Sequence, residues 1–408
     1  MDILLITNYF PPEIGAASHL FYDLAKGLSG KGHNVTVLTG FPRYNIDKKK
    51  LPTKYRNKLY LKEKIEGVII KRFWSAPFPQ SNPVTRGFDH LTLPIIYFLG
   101  GVLTRRHDIV LIYSPPLTLG VTGHILAKIK WTSLVINVQD IFPQNAIDLG
   151  ILKNRFLIRF FQGIERFVYG AGDCITVHSE RNRAHVVKRG GKYVKVISNM
   201  VDTEFIKPME KDNLLRTKNG LQDKFVVSFA GTMGYSQDLD VVLECAKLLD
   251  DYADIFFLLV GDGIEKERLL KKAENMGLSN VLFLPMQQKS EYPKILAASD
   301  VSLVTLKKAV KTPVVPSKIL SIMASGRPVI GCMDLAGDAP ELIDKAGCGF
   351  CVEAENPSQL SEKILKLYRN RKKAAELGRS GRKFTEENLS KDRIINEYEK
   401  LFIELTER

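Results

Sequence analysis

The chain has 408 residues, 45% of them apolar and 25% charged, with 59 Lys and Arg against 45 Asp and Glu for a formal net charge of +14. At roughly 150 to 200 residues per domain this length predicts two globular domains, each able to build a full core, and the composition excludes a disordered or low-complexity chain. Five cysteines in a chain this long exclude a disulfide framework and point to a reducing compartment.

The charge is unevenly distributed. Residues 1–200 hold 28 Lys and Arg against 13 Asp and Glu, whereas residues 201–408 hold 31 against 32. An amino-terminal half that carries the whole excess predicts an anionic partner there: a membrane surface, a phospholipid-like acceptor or nucleic acid. No nucleic-acid-binding module accompanies the charge, which argues against the last of these. The first ten residues read as a strand, with neither basic leader nor small-residue cleavage site. The longest apolar stretch, LPIIYFLGGVL at 93–103, is too short to span a bilayer. The expected setting is therefore cytoplasmic, soluble or peripheral at the inner face of the cell membrane.

From the amino terminus, DILLIT reads as a buried strand over 2–7, followed by a glycine-bearing turn and an amphipathic helix over 16–31. Further strands are predicted at 34–39, 67–73, 108–113, 133–138, 173–177 and 194–197, with helices at 86–106, 117–130, 153–170 and 179–189 between them. The segment 48–64, KKKLPTKYRNKLYLKEK, carries eight basic side chains and one acidic, interleaved with Tyr55, Leu59, Tyr60 and Leu61. It reads either as a solvated loop or as a headgroup-facing segment. FLIRFFQGIERFVYG at 156–170 mixes Arg159 and Arg166 with aromatics and reads as a core-facing or membrane-facing helix. Residues 198–211 break the periodicity around a proline and predict a linker. The strand, glycine turn and helix grammar restarts near residue 225, with strands at 225–230, 255–260, 281–284, 301–304, 328–331 and 349–352. After Pro357 the chain reads as helix. The expected division is a domain at 1–198, a second at 199–385, and a helix at 386–408 packing back on the first. Both domains predict a doubly wound parallel α/β sheet, with ligands at the carboxyl ends of the strands.

The most specific stretch is VVPSKILSIMASGRPVIG at 314–331. A proline at a helix start, Ser317 and Lys318 in its first turn and a strand after Gly326 make a phosphate-facing unit. There the first-turn amides, the helix dipole and the Lys318 charge would favour an anion. Gly231 and Gly234 flank a turn after a buried strand, where backbone can approach a diphosphate. Asp140 follows the strand LVINVQ, at a carboxyl end suited to chemistry, although an aspartate capping the next helix is the plainer account. Asp238 and Asp240 sit at a helix start, which suits the dipole better than a metal. Cys348 and Cys351 in CGFC have the spacing of a redox or metal pair, but no second pair completes a zinc site and they lie on a short apolar strand.

This segment resembles the donor-binding motif of GT-B glycosyltransferases of family 4, in the branch that builds bacterial and archaeal cell-surface glycans. The resemblance extends in order along the chain through TNYFPPEIGAAS, NVQDIFPQNA, VISNMVD, FAGTMGYSQDLD, VGDGIEKERL and CGFCVEAENPSQLSEKI. It implies a GT-B fold, a nucleotide-sugar donor such as a UDP-sugar on the carboxyl-terminal domain, and an acceptor on the amino-terminal domain. It further implies metal-independent, retaining transfer without a cofactor, the diphosphate being stabilised by amides, helix ends and cations. On the donor side it implicates Gly15 and Ala16 in the first loop, Gly231, Thr232, Gly234, Gly263, Met286, Ser317, Lys318 and Ser321, with Glu341 near the sugar. At the reaction centre it implicates Asp140 and its neighbour Gln139. The chain departs from the family in two respects. The loop after Gly231 offers Thr232 and Gln237 where relatives carry a basic clamp, leaving Lys318 with Lys307 or Lys311 as replacement. The family's two glutamates fall at Ser321 and at or near Pro313. Glu13 and His19 flank the first loop. The expected reaction is transfer of a sugar to a polyprenyl-diphosphate-linked saccharide at an anionic membrane surface. The alternatives are transfer to a soluble small-molecule acceptor, epimerisation of a UDP-sugar, or a non-catalytic binding scaffold.

Overall fold

The computed structural model describes residues 1–13, 15–43, 51–74, 83–311 and 313–408. It divides into two compact units: unit 1, Met1–Asn199 with Lys391–Arg408, and unit 2, Met200–Ser390. The elements of unit 1 are β1 (Asp2–Ile6), α1 (Ala16–Gly30), β2 (Asn34–Gly40), β3 (Tyr60–Ile65), β4 (Val68–Phe73), α2 (Pro83–Val102), β5 (Ile109–Ser114), α3 (Thr118–Lys130), β6 (Ser133–Val138), α4 (Gln144–Asp148), α5 (Arg155–Ala171), β7 (Cys174–Val177), α6 (Glu180–Lys188) and β8 (Val194–Val196). Unit 2 contains α7 (Leu214–Lys218), β9 (Phe225–Ala230), α8 (Asp240–Leu248), β10 (Ile255–Val260), α9 (Lys266–Asn275), β11 (Val281–Leu284), α10 (Tyr292–Ala297), β12 (Val301–Thr305), α11 (Ser317–Ala324), β13 (Val329–Met333), α12 (Asp338–Lys345), β14 (Gly349–Glu353), α13 (Pro357–Arg369) and α14 (Arg371–Asn388). The last helix, α15 (Lys391–Thr406), returns to unit 1.

The sheet of unit 1 runs β3-β4-β2-β1-β5-β6-β7-β8, and that of unit 2 runs β11-β10-β9-β12-β13-β14. The central strands are wholly buried, as β5 (IVLIYS) and β9 (FVVSFA) illustrate. Helices cover both faces of a parallel sheet, so its inner strands read as continuous apolar runs instead of alternating ones. All pairings are parallel except β3 with β4. β3 begins inside the basic segment 48–64, read from sequence as a solvated loop or a headgroup-facing segment, of which residues 48–50 lie outside the described residues. Its residues alternate, with Tyr60, Lys62 and Lys64 exposed and Leu61, Glu63 and Ile65 turned inward. That period of two was masked by the lysines, which are the usual guard on an exposed sheet edge. Glu63 is held there by the fully buried Arg72 at 2.6 Å and by Lys54 at 2.7 Å. The five cysteines are free thiols, four of them buried, including Cys348.

α15 buries Ile394, Ile395, Tyr398, Leu401, Phe402 and Leu405, one face of a 3.6-residue period. Asn137 of β6 donates to the Tyr398 hydroxyl at 2.7 Å, Ser133 to the Leu405 carbonyl at 3.2 Å, and Glu399 pairs with Lys31 at 2.7 Å. In unit 2 the first and last segments meet: Val201 N donates to the Leu389 carbonyl at 3.0 Å.

Candidate active site

In unit 2 the strand order reverses between β9 and β12, because the chain runs outward through β10 and β11 and then returns to the other side of β9. Loops leaving the carboxyl ends of those two strands diverge, and in open α/β sheets ligands bind at that point. The β9 loop begins with Gly231 at φ 141°, a conformation that side chains resist, and a Cβ there would stand 2.4 Å from Lys318 Cε. Lys318, the second residue of α11, arrives from the β12 side. Its ammonium lies 4.0 Å from the Phe229 ring centroid and donates to Gln237 Oε1 at 2.9 Å. Desolvation pushes its pKa down to about 7. The ring face and the amide carbonyl favour the charged form and work against that shift. No side chain caps α11, so its first-turn N–H groups and the positive end of its dipole lie beside the lysine.

A second glycine turn braces the first. A Cβ at Gly261 would lie 1.9 Å from the Gly231 carbonyl oxygen, and one at Gly263 (φ 151°) would lie 2.3 Å from that of Met233. Gly231 N donates to Val260 O at 2.9 Å and Met233 N to Asp262 O at 2.8 Å, stitching the two loops together. Gly234 differs from what its spacing suggests: a Cβ there would meet only Thr232, at 3.9 Å, so its turn does not require glycine. Thr232 is exposed, as are Ser317 and, in the loop after β11, Met286. Ser321 shares a side-chain hydrogen bond with Tyr292, whose hydroxyl burial pushes up to about 12. Glu341 is exposed in the first turn of α12. Of the two lysines proposed to replace the basic clamp, Lys311 is instead held by Asp334 at 2.6 Å. Lys307 is tied through its backbone N–H to Ser236 O at 3.0 Å.

Asp240 opens α8 and is gripped by both terminal nitrogens of Arg268, at 2.9 and 2.6 Å, and by Lys272 at 2.8 Å. These cations hold its carboxyl well below the usual range. Asp238 is 4% exposed and accepts from Val241 N, while burial raises its pKa and leaves Oδ2 without a partner. Among the described residues no three His, Cys, Asp or Glu side chains are grouped to hold a metal ion.

In unit 1 the order reverses between β1 and β5. The loop after β1 enters α1 at Gly15, the N-cap. Its φ of 173° is extended backbone open to any residue, so the conformation of this turn does not itself call for glycine. Ala16 opens the helix, and its side chain lies outside the described residues, as does Ile14. Glu13 is buried and braces the loop, accepting from Arg43 N at 2.7 Å and Phe10 N at 3.3 Å. The His19 amide donates to Gly15 O at 3.1 Å, closing the first turn of α1.

Asp140 stands in the loop after β6, exposed and with no side-chain hydrogen bond or ion pair among the described residues. It does not cap α4, whose N-cap is Pro143 with no side-chain bond. The simple capping role is thereby removed. Protein crowding around the loop raises the carboxyl pKa from its ordinary value, even though solvent reaches the side chain. Gln139 exchanges two hydrogen bonds with Asn199, both at 2.9 Å, and donates to Asn137 at 2.8 Å. Both of its amide hydrogens are therefore engaged, and it ties the loop after β6 to Asn199. His178, at the end of the neighbouring strand β7, is buried and neutral, its pKa pushed down to about 4, and meets Asn182 at 3.1 Å. Sequence reading missed Phe229, Gly261, Asn199 and His178. Phe229 looks like any core residue on a buried strand, and the other three are revealed only by their spatial neighbours.

Two doubly wound parallel-sheet units, each with a strand-order reversal, define the class of GT-B folds. Two family models divide the chain between them: Glycosyltransferase Family 4 over residues 15–205 and Glycosyl transferases group 1 over residues 211–384. The chain belongs to the GT-B glycosyltransferases of family 4 and is a sugar-transferring enzyme. It is similar to the putative colanic acid biosynthesis glycosyl transferase WcaI of Escherichia coli, at 24% identity over 98% of each chain. It is also similar to N-acetyl-alpha-D-glucosaminyl L-malate synthase of Bacillus anthracis, at 27% identity over 98% of this chain and 96% of that one. Among solved structures, Anabaena HepE in complex with UDP matches with a TM-score of 0.73 at 18% identity, over 99% of this chain and all of that one.

Proposed function

We propose that this enzyme transfers a sugar from a UDP-sugar to a polyprenyl-diphosphate-linked saccharide during cell-surface glycan synthesis, at an anionic membrane surface. The observation that carries the donor half is the contact of Lys318 with Gly231 and Gln237 at the β9–β12 reversal. It sets one cation, bare glycine backbone and uncapped helix N–H groups where a diphosphate fits without a metal. Ser317, Thr232, Gly263, Met286, Ser321 and Glu341 lie on the same carboxyl edge of the sheet and are assigned to donor recognition. The acceptor half is supported by the charge of unit 1, which holds 32 Lys and Arg against 18 Asp and Glu, and by the WcaI-like sequence.

In the reaction the acceptor hydroxyl oxygen bonds to the anomeric carbon as the bond from that carbon to the diphosphate oxygen breaks. Asp140, unpaired and with a raised pKa, accepts the hydroxyl proton or holds the hydroxyls of the sugar. Retention of configuration and freedom from metal belong to the same proposal, as does the absence of a cofactor. A second reading, a soluble acceptor, is favoured by likeness to a relative whose name specifies malate.

The test is transfer from radiolabelled UDP-sugars to lipid-extracted and to water-soluble acceptors, with and without EDTA. Label entering only the aqueous acceptor selects the second reading. Thermal stabilisation by no uridine nucleotide, or turnover abolished by EDTA, sinks the proposal. Asp140→Asn is expected to lower kcat by about 100-fold, within the usual range for general acid–base groups, with UDP affinity unchanged.

A further inference from the structure

We propose that unit 1 docks on an anionic lipid bilayer through the outer face of the layer formed by α2, α3 and α5, with the aromatic stripe of α5 entering the headgroup region. This rests on the membrane reading above and names the surface that carries it. α5 buries only Glu165, Val168 and Tyr169. Its phenylalanines 156, 160 and 167 recur at the spacing of one helical stripe, and all are exposed, Phe156 by 82%. Gly163 interrupts the stripe at an open position, where a Cβ would meet nothing within 4 Å. Arg155, Arg159 and Arg166 each precede a phenylalanine, forming a parallel stripe about 100° around the helix. All three are exposed and none is ion-paired among the described residues. A water-facing helix keeps aromatics inward, whereas this one presents them outward beside cations, the composition of an interfacial helix.

The adjoining helices extend the face. Gly120 admits α3 close to Val168 of α5, and Gly101 of α2 is pressed against Leu126 of α3. His124 of α3 meets Phe167 edge-on at 5.4 Å. Ile125 and Ile129 of α3 are exposed, as are Ile95 and Leu99 of α2, and Trp131 at the end of α3 is exposed by 84%. The unpaired arginines argue for lipid over a second copy of the chain, since like charges would oppose each other across a self-interface. No helix among the described residues is long and apolar enough to cross a membrane, so the contact is superficial. Phe142, two residues after Asp140, packs edge-on against Phe161 of α5 at 5.0 Å. Seating α5 in the headgroups therefore brings the Asp140 loop to the depth of a lipid-linked diphosphate.

The chain has two tryptophans, so Trp74→Phe leaves Trp131 as sole reporter. With vesicles of phosphatidylcholine and phosphatidylglycerol, Trp131 emission is expected to shift to shorter wavelength and to be quenched by brominated acyl chains. Phe156→Ser with Phe160→Ser should weaken partitioning at least tenfold. Arg155→Gln with Arg159→Gln and Arg166→Gln should abolish the preference for the anionic lipid. Circular dichroism should be unchanged for both, because every altered side chain is exposed. The proposal is overturned by absence of vesicle binding, by a soluble dimer that shields Trp131, or by binding in which Trp131 stays unshifted and both variants behave as the parent. Transfer to lipid-extracted acceptors dispersed in detergent without vesicles separates the two readings: docking lost with transfer retained removes this surface alone, and docking intact with transfer absent removes only the catalytic proposal.

Discussion

Lys318 has a folded-state pKa near neutrality, so its ammonium is present below pH 7 and lost above it. If that ammonium holds the diphosphate, UDP affinity should fall as pH rises from 6 to 9, by up to tenfold per unit past the pKa. Lys318→Arg should flatten the profile, because guanidinium does not titrate there. Lys318→Ala should flatten it at an affinity about 10 to 100-fold lower, the worth of a charge-assisted hydrogen bond. Calorimetric titration across that range checks all three. In the same window an unfolded chain keeps the proton that the folded one has released, so this group adds stability with rising pH. Gly231→Ala should reproduce the affinity loss without touching a charge, since its Cβ would evict Lys318 Cε. Gly261→Ala meets backbone instead of a flexible side chain and should cost about 1–3 kcal/mol of unit 2 stability, read as a lowered urea midpoint.

At the level of elements, α15 is an amphipathic helix that is last in the chain but belongs to the first unit. Tyr398→Phe leaves the Asn137 amide, which also reaches Thr176 at 3.0 Å, without its hydroxyl partner. A loss of about 1 kcal/mol is expected, visible as a lower melting temperature. Deleting residues 391–408 should do far more, because it uncovers α1 and the face beside β6. Exposed apolar dye binding and loss of cooperative unfolding in unit 1 would report it. A terminal helix packing back on the first domain was expected from the sequence; the residues it meets there were not legible, since a period of 3.6 says which side is buried and nothing about against what. β3 is the converse case, a strand whose lysines gave the composition of a loop while its alternation awaited a partner strand to give it meaning.

For the whole molecule the division of charge is complete: unit 2 holds 27 Lys and Arg against 27 Asp and Glu, and the entire +14 lies in unit 1. Unit 2 also joins its own ends, Val201 pairing with Ser390. Residues 200–390 expressed alone should therefore fold cooperatively and be stabilised by UDP, about 2.7 kcal/mol at 100 times Kd, yet fail to bind anionic vesicles at low salt. Failure to fold would mean that pairing its termini does not make the unit self-sufficient.

The sequence by itself determined the two parallel sheets, the glycine turns, the helix bearing Lys318 and the family, because each is a local pattern of apolar period, backbone freedom or order along the chain. Only the tertiary structure decided which of those features act together. That Gly231 is glycine on account of a lysine 87 positions later, that Lys311 is taken by Asp334, and that Gln139 is spent on Asn199 are matters of distance between residues far apart in sequence. Hydrophobic periodicity has no access to such distances, because it records which face of an element leaves water and not what that face meets.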